Sequence, residues 1–367
     1  MQEIIITSNE EGYRLRKLCA NLLPLAPNSF YFKMLRKKNI VLNDKKADGT
    51  EILKAGDSVK LYLSDDTIAK FSKNSTDSEN SAGSLKSITD KSKYNSSKID
   101  KVKSSKNISN NIKLEALYED QNIIICNKPA GVLSQKAKQD DYSINEMIID
   151  YLLSTGVIND NSLRLFRPSV CNRLDRNTCG IILASKTPAG AHFLTEAIRN
   201  RTVKKYYIAV VKGRAEIDGR HEAILEKDRV KNLVRIRDID IRTDVNKDAG
   251  SYVKTDGNNK QRIITDTRLI SYNRKLDISE LEVELITGKS HQIRAHLAHL
   301  GHPIIGDVKY GDKSINQSFL YKYKIDHQML IAYKIVFPDI KEEDDALISG
   351  LTVEAPLPEV YRKLFEK

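Results

Sequence analysis

Cys171-Asn172-Arg173-Leu174-Asp175-Arg176-Asn177-Thr178-Cys179-Gly180 is the stretch on which the reading of this chain turns. Pro168-Ser169-Val170 leads into it and Ile181-Ile182-Leu183-Ala184 leads out. Short apolar runs around a polar decapeptide predict strand, turn, strand. Asn177, Thr178 and Gly180 suit a tight, hydrogen-bonded turn. Arg173 and Arg176 flank Asp175, and a carboxylate fixed on such a loop is a candidate nucleophile. The same residues also describe an ordinary surface turn with a solvated Asp.

Working outward, 367 residues with 40% hydrophobic content give room for two domains, one with a substantial core. No apolar run approaches about 18 residues, and Met1-Gln2-Glu3-Ile4-Ile5-Ile6-Thr7 lacks the basic-then-apolar layout of a signal peptide. A cytoplasmic protein with no membrane partner is expected. Cys19, Cys126, Cys171 and Cys179 are scattered and form no Cys-x-x-Cys pair, which favours free thiols over disulfides or zinc. The formal charge of +11 suggests a polyanionic partner, and its distribution is uneven: +4 in residues 1–64, +4 in 65–113 and +3 in all the rest.

Residues 72–111 are dominated by Ser, Lys, Asn and Asp without periodicity, and the reading is a disordered linker over 65–113. It separates a small unit, 1–64, from a large one, 114–367. In the small unit Leu15, Leu18, Leu22 and Leu23 recur at helical spacing until Pro24, and a second helix is predicted over 29–38. Ile40-Val41-Leu42, the turn Asn43-Asp44 and a strand over 58–63 follow. Arg36, Lys37 and Lys38 at the helix end present a basic edge suited to phosphate. They equally suit a solvated terminus where cations complement the dipole.

In the large unit strands are predicted at 122–126, 205–211 and 281–285, and helices at 143–153 and 187–200; polar residues 237–262 read as a loop or insertion. The class is α+β, a mixed, largely antiparallel sheet with flanking helices, preceded by a small α/β unit. After the last of these strands comes Thr287-Gly288-Lys289-Ser290-His291-Gln292-Ile293-Arg294-Ala295-His296, a turn entering a short helix with Ile293, Leu297 and Leu300 inward. Arg294 lies one residue off that stripe, where it either reaches inward to a carboxylate or sits on the surface. His291, His296, His299 and His302 are spaced five, three and three apart, without interleaved Cys or acid, so no metal site is expected.

Two resemblances organise these observations. Tyr13-Arg14-Leu15-Arg16-Lys17-Leu18, Met34 to Asn43 and Leu53-Lys54-Ala55-Gly56-Asp57 resemble the S-four-like RNA-binding domain. Asn127-Lys128-Pro129-Ala130-Gly131, the 172–180 loop, Lys205-Tyr206-Tyr207-Ile208-Ala209, the 287–294 stretch and His302-Pro303-Ile304-Ile305-Gly306-Asp307 together resemble the RluA-type pseudouridine synthases, specifically ribosomal large-subunit members. The resemblance implies an enzyme that isomerises uridine in RNA, with 23S ribosomal RNA or the assembling large subunit as partner, no cofactor and a monomeric state. It implies Asp175 as nucleophile, Tyr207 against the target base and Arg294 paired with Asp175. It also implies that Arg173 fills the gap left by the everted uridine, and that Arg14, Arg36, Lys37 and Lys38 contact RNA. On residues alone Tyr207 reads equally as a core tyrosine on a strand.

The chain departs from the family pattern at Asn172, where His is common, and at Cys179, where Ser is. Gln328 to Ala332 lacks a His found in many relatives. A non-catalytic RNA-binding or ribosome assembly factor on an inactive synthase scaffold is the alternative. A glycosidic hydrolase using an Asp is a further one, although it needs a second acid/base carboxylate.

Overall fold

The computed structural model describes residues 1–7, 10–72, 113–138, 140–228, 233–239, 260–339 and 348–365. Two sheets form. In the small one, β1 (Gln2–Ile5), β2 (Ile40–Leu42), β3 (Lys45–Lys46) and β4 (Ser58–Leu61) run in the order β1-β4-β2-β3, antiparallel throughout. Asn43 and Asp44 both take positive φ, the conformation of a two-residue hairpin turn that these residue types tolerate. Helices α1 (Leu15–Leu22) and α2 (Asn28–Arg36) bury Leu15, Leu18, Tyr31, Met34 and Leu35 against the sheet residues Ile40 and Leu61. The sequence predicts a linker over 65–113, but its first residues instead form α3 (Asp65–Phe71). Ser64 accepts from the Thr67 amide at its start, and the Phe71 ring lies 4.7 Å from that of Phe30, which extends this small core. Residues 73–112 of that stretch lie outside the described residues.

The second sheet begins with β5 (Glu115–Glu119) and β6 (Ile123–Lys128), then α4 (Ile144–Ser154), α5 (Asp160–Leu165), β7 (Ser169–Val170), β8 (Cys179–Ser185), α6 (Pro188–Arg199) and β9 (Lys204–Lys212). It continues through β10 (Gly219–Asp228), β11 (Leu233–Arg237), β12 (Lys260–Asn273), β13 (Ile278–Leu285), α7 (Gln292–His299), α8 (Lys313–Tyr323), β14 (Leu330–Val336), β15 (Thr352–Glu354) and α9 (Glu359–Phe365). The strand order is β11-β10-β12-β13-β9-β14-β8-β6-β5, with β15 on β14 and β7 on β8; among the described strand pairs only β14–β8 is parallel. The α+β class read from the sequence is the fold found. Most of the predicted polar insertion, 240–259, lies outside the described residues.

Strand register fixes the site. On β14, Ala332 pairs with Gly180 at the start of β8 on one side and with Tyr207 of β9 on the other. Gly180 has φ +107°, and a Cβ there would stand 2.2 Å from the Ala332 carbonyl oxygen. Only glycine lets the 171–180 loop re-enter the sheet this close to β14.

The two units touch. Leu165 and Phe166, at and beyond the end of α5, pack on the core of the small unit, and the Asn21 amide donates to the Leu165 carbonyl at 2.6 Å. Among the described residues no helix is long and apolar enough to cross a membrane.

Candidate active site

The hairpin β7–loop–β8 is the strand–turn–strand that the sequence predicts, with Ser169 paired to Ser185 and Val170 to Ala184. Asn172 ties its arms together: its amide donates to the Ile181 carbonyl at 3.3 Å and its oxygen accepts from the Leu183 amide at 2.7 Å. The loop tip is clamped from the 128–134 turn. Ser134 accepts from the Leu174 amide and donates to the Leu174 carbonyl. Fully buried Lys128 donates to the carbonyls of Pro129, Val132 and Arg176 at 2.8–3.0 Å. Asp175 is thereby fixed by its backbone, while its side chain stays 25% exposed.

Arg294, in the first turn of α7, meets it. Nη1 donates to Asp175 Oδ2 at 2.7 Å, and Nε and Nη2 donate to Asp307 at 2.6 and 2.8 Å. Asp307 is fully buried, and its Oδ1 also accepts from the amides of Lys309 and Tyr310. Burial opposes the charge on Arg294, but Asp307 and then Asp175 outweigh it and raise the guanidinium pKa. Burial likewise opposes ionised Asp307, yet Arg294 and the two amides hold its carboxyl below the usual range. The Tyr310 ring lies 5.4 Å from the guanidinium, and its hydroxyl bonds to His291 Nδ1 and the Val234 amide. His291 has φ +55° at the head of α7, and burial pushes its pKa down, favouring neutral imidazole.

Tyr207 is buried, and its pKa is raised by burial and then by the negative charge of Asp175, so the phenol keeps its proton. Its hydroxyl makes no hydrogen bond among the described residues. Asp175, Tyr207 and Arg294 are therefore gathered from β9, α7 and one loop. Arg173 is exposed on the same loop. Arg14, Arg36, Lys37 and Lys38 are exposed on the small unit and take no part in this cluster.

Three contributors escape sequence reasoning. Asp307 and Tyr310 follow a Gly-containing turn with no periodic pattern to aim them at Arg294. Lys128 reads as the polar end of a strand, and nothing local shows its ammonium reaching a loop 48 residues on. The histidines disperse: His296 bonds to Thr265 and is held neutral by burial with its pKa at about 4, and His302 bonds to the Lys212 carbonyl. No group of three His, Cys, Asp or Glu among the described residues is placed to hold a metal.

Residues 122–299 match the model of the family described as RNA pseudouridylate synthase. An uncharacterized RNA pseudouridine synthase of Mycoplasma genitalium is 28% identical over 352 residues, 96% of this chain and 94% of its own length. Residues 122–299 carry this family's domain. Ribosomal large subunit pseudouridine synthase C of Buchnera aphidicola is 27% identical over 366 residues, 98% of this chain and 95% of its own. Among solved structures, human RNA pseudouridylate synthase domain containing 4 covers 73% of this chain and 96% of its own with a TM-score of 0.50 at 20% identity, a likeness of fold. The chain is thus an RluA-type RNA pseudouridine synthase, an isomerase of uridine in RNA.

For a pseudouridine synthase the departures at Asn172 and Cys179 are mild. Asn172 supplies both a donor and an acceptor to the hairpin, and Cys179 is buried with its Sγ near the Leu330 carbonyl. Asp307, the other carboxylate that Arg294 meets among the described residues, has no exposed surface and both oxygens engaged, so it is unsuited to serve as the acid/base partner of a hydrolase.

Lys128 gives a pH-dependent expectation. Burial brings its pKa to about 8, opposed by nearby Cys179 and Asp175, whereas an unfolded lysine titrates near 10.5. Between those values the unfolded chain binds more protons, so stability rises with pH across the window. Urea unfolding at pH 8 and pH 10 should show wild type gaining relative to Lys128→Met, on the order of 3 kcal/mol at most. Parallel curves would mean that the lysine stays charged in the fold.

Proposed function

We propose that Asp175 is the nucleophile of this synthase and that its substrate is a uridine in large-subunit ribosomal RNA. The observation that carries the first part is the 2.7 Å contact of Arg294 Nη1 with Asp175 Oδ2, on a carboxylate that keeps a quarter of its surface open. Isomerisation breaks the N1–C1′ bond of uridine and makes a C5–C1′ bond; C5 loses a proton and N1 gains one. Electrons and atoms balance without an oxidant. The base must leave the stack to reach Asp175. Tyr207 then packs on it as a neutral phenol, and Arg173 fills the space vacated in the RNA. The ribosomal substrate rests on the name of the Buchnera relative, which spans nearly its whole length with this chain.

The small unit supplies phosphate affinity through Arg14, Arg36, Lys37 and Lys38, in a cytoplasmic monomer. Replacing Arg36, Lys37 and Lys38 together with alanine should weaken RNA binding and flatten its dependence on log salt concentration by roughly 2 to 3 units of slope. An unchanged slope in filter binding would remove the small unit from the interface.

The test of function uses a transcript of large-subunit ribosomal RNA labelled with tritium at uridine C5. Stoichiometric tritium release, with pseudouridine mapped to a discrete position, is the expected result. Release only from transfer RNA transcripts would overturn the substrate, and no release from any RNA would restore the assembly-factor alternative.

A further inference from the structure

Helix α8 carries a surface that the site does not use. Its inner side, Ile315, Phe319 and Tyr323, packs on the main core. Its outer side exposes Lys313, Gln317, Leu320, Tyr321 and Lys324, which fall within about 100° of one another at helical spacing. Tyr321 is 81% exposed and Leu320 47%, and the Lys324 ammonium stands 5.8 Å from the Tyr321 ring centre. From Lys313 to Ile325 there are three lysines and no acidic residue. The acid just before the helix, Asp312, is already engaged, capping the amides of Ser314 and Ile315 and meeting Lys212 at 3.0 Å.

The helix is also bolted to the catalytic cluster. Asn316 in its first turn donates to the Asp307 carbonyl at 2.9 Å and accepts from the Gly306 amide at 2.7 Å. Asp307 in turn holds Arg294. At 1.5 Å of rise per residue, Tyr321 stands roughly 12 Å along the axis from Lys313. Tyr321 lies beyond Asn316, the residue that ties α8 to Asp307, and so stands outside the catalytic cluster itself.

Single exposed apolar side chains are commonplace and call for no explanation. Here an adjacent Leu and Tyr sit on an acid-free lysine helix, continuous with the site of an enzyme whose substrate is a polyanion. We propose that the outer face of α8 binds RNA flanking the target uridine, with an unpaired base stacked on Tyr321 and phosphates met by Lys313 and Lys324. Stacking tolerates any base, and lysines supply charge without sequence preference. The patch is two apolar side chains wide, too small for a stable protein interface, and its charge complements RNA.

The test uses the full chain with Tyr321→Ala, Tyr321→Phe and Lys313→Ala/Lys324→Ala. Binding and C5 tritium release are measured on the large-subunit ribosomal RNA transcript. Tyr321→Ala should raise both Kd and KM about tenfold and leave kcat unchanged, while Tyr321→Phe stays near wild type because the ring suffices. The double lysine variant should lower the salt slope by about 1 to 2. The proposal rests on an RNA substrate but not on the choice of ribosomal RNA. If wild type binds the transcript without turnover, the substrate reading fails and Kd alone decides the role of α8. A Tyr321→Ala Kd within twofold of wild type overturns it, as does a Tyr321→Phe loss equal to that of alanine. So does weaker binding of an acidic protein with unchanged RNA affinity.

Discussion

Asp175→Asn is expected to fold, to bind RNA as wild type does, and to release no tritium from uridine C5. The substitution keeps the shape of the side chain and its place on a loop held by backbone bonds from Ser134 and Lys128. Arg294 keeps both bonds to Asp307, so no buried cation is stranded. Asp175 keeps a quarter of its side chain in solvent and Arg294 stays paired with Asp307, so the melting temperature should hardly move. Chemistry is another matter. An amide is a far weaker nucleophile than a carboxylate, and removing the nucleophile from a site of this kind costs on the order of 10⁴-fold or more in kcat. Single-turnover tritium release separates the two effects, because enzyme in excess removes any contribution from RNA affinity. Asp175→Asn retaining even a tenth of the wild-type rate would show that the carboxylate is not the reacting group.

That expectation shows which parts of the molecule are legible in its sequence. Alternation in 281–285 and the buried run at 122–126 give the strands, and the strand–turn–strand around Asp175 follows from apolar runs flanking turn residues. Those are local signals. The residues that hold Asp175 in place act across long separations: Lys128 reaches Arg176, and Asp307 reaches an arginine on a preceding helix. No periodicity encodes such contacts, since they arise only when β14 brings β8 and β9 side by side at Ala332. Gly180 carries a half-signal. A glycine after a polar loop reads as turn chemistry, yet its reason is the approach of a backbone carbonyl more than 150 residues away. The linker boundary fails for the opposite reason: Ile68 and Phe71 are two apolar residues in a polar surround, and only the waiting Phe30 ring makes a helix of them.

Removing Asp307 should be the most destabilising change in the site. Arg294 is 7% exposed in its side chain, and Asp307→Ala would leave it with one partner in place of two. Stranding a buried charge in this way costs about 3–5 kcal/mol, which for a domain of this size lowers the melting temperature by roughly 10 °C. Turnover should vanish as well, because an untethered guanidinium no longer presents one N–H to Asp175. Loss of activity alone would not separate these causes, and a second variant does. Replacing the pair together, Arg294→Met with Asp307→Leu, removes both charges and leaves apolar side chains of similar bulk. Buried ion pairs are often no more stabilising than such replacements, so most of the lost stability should return. Activity should not, since Asp175 then faces a thioether. Recovered folding with absent turnover would show that the buried pair is kept for the reaction rather than for the fold. A double variant that turns over RNA at the wild-type rate would mean Arg294 does not act on Asp175, and the 2.7 Å contact would be a packing detail.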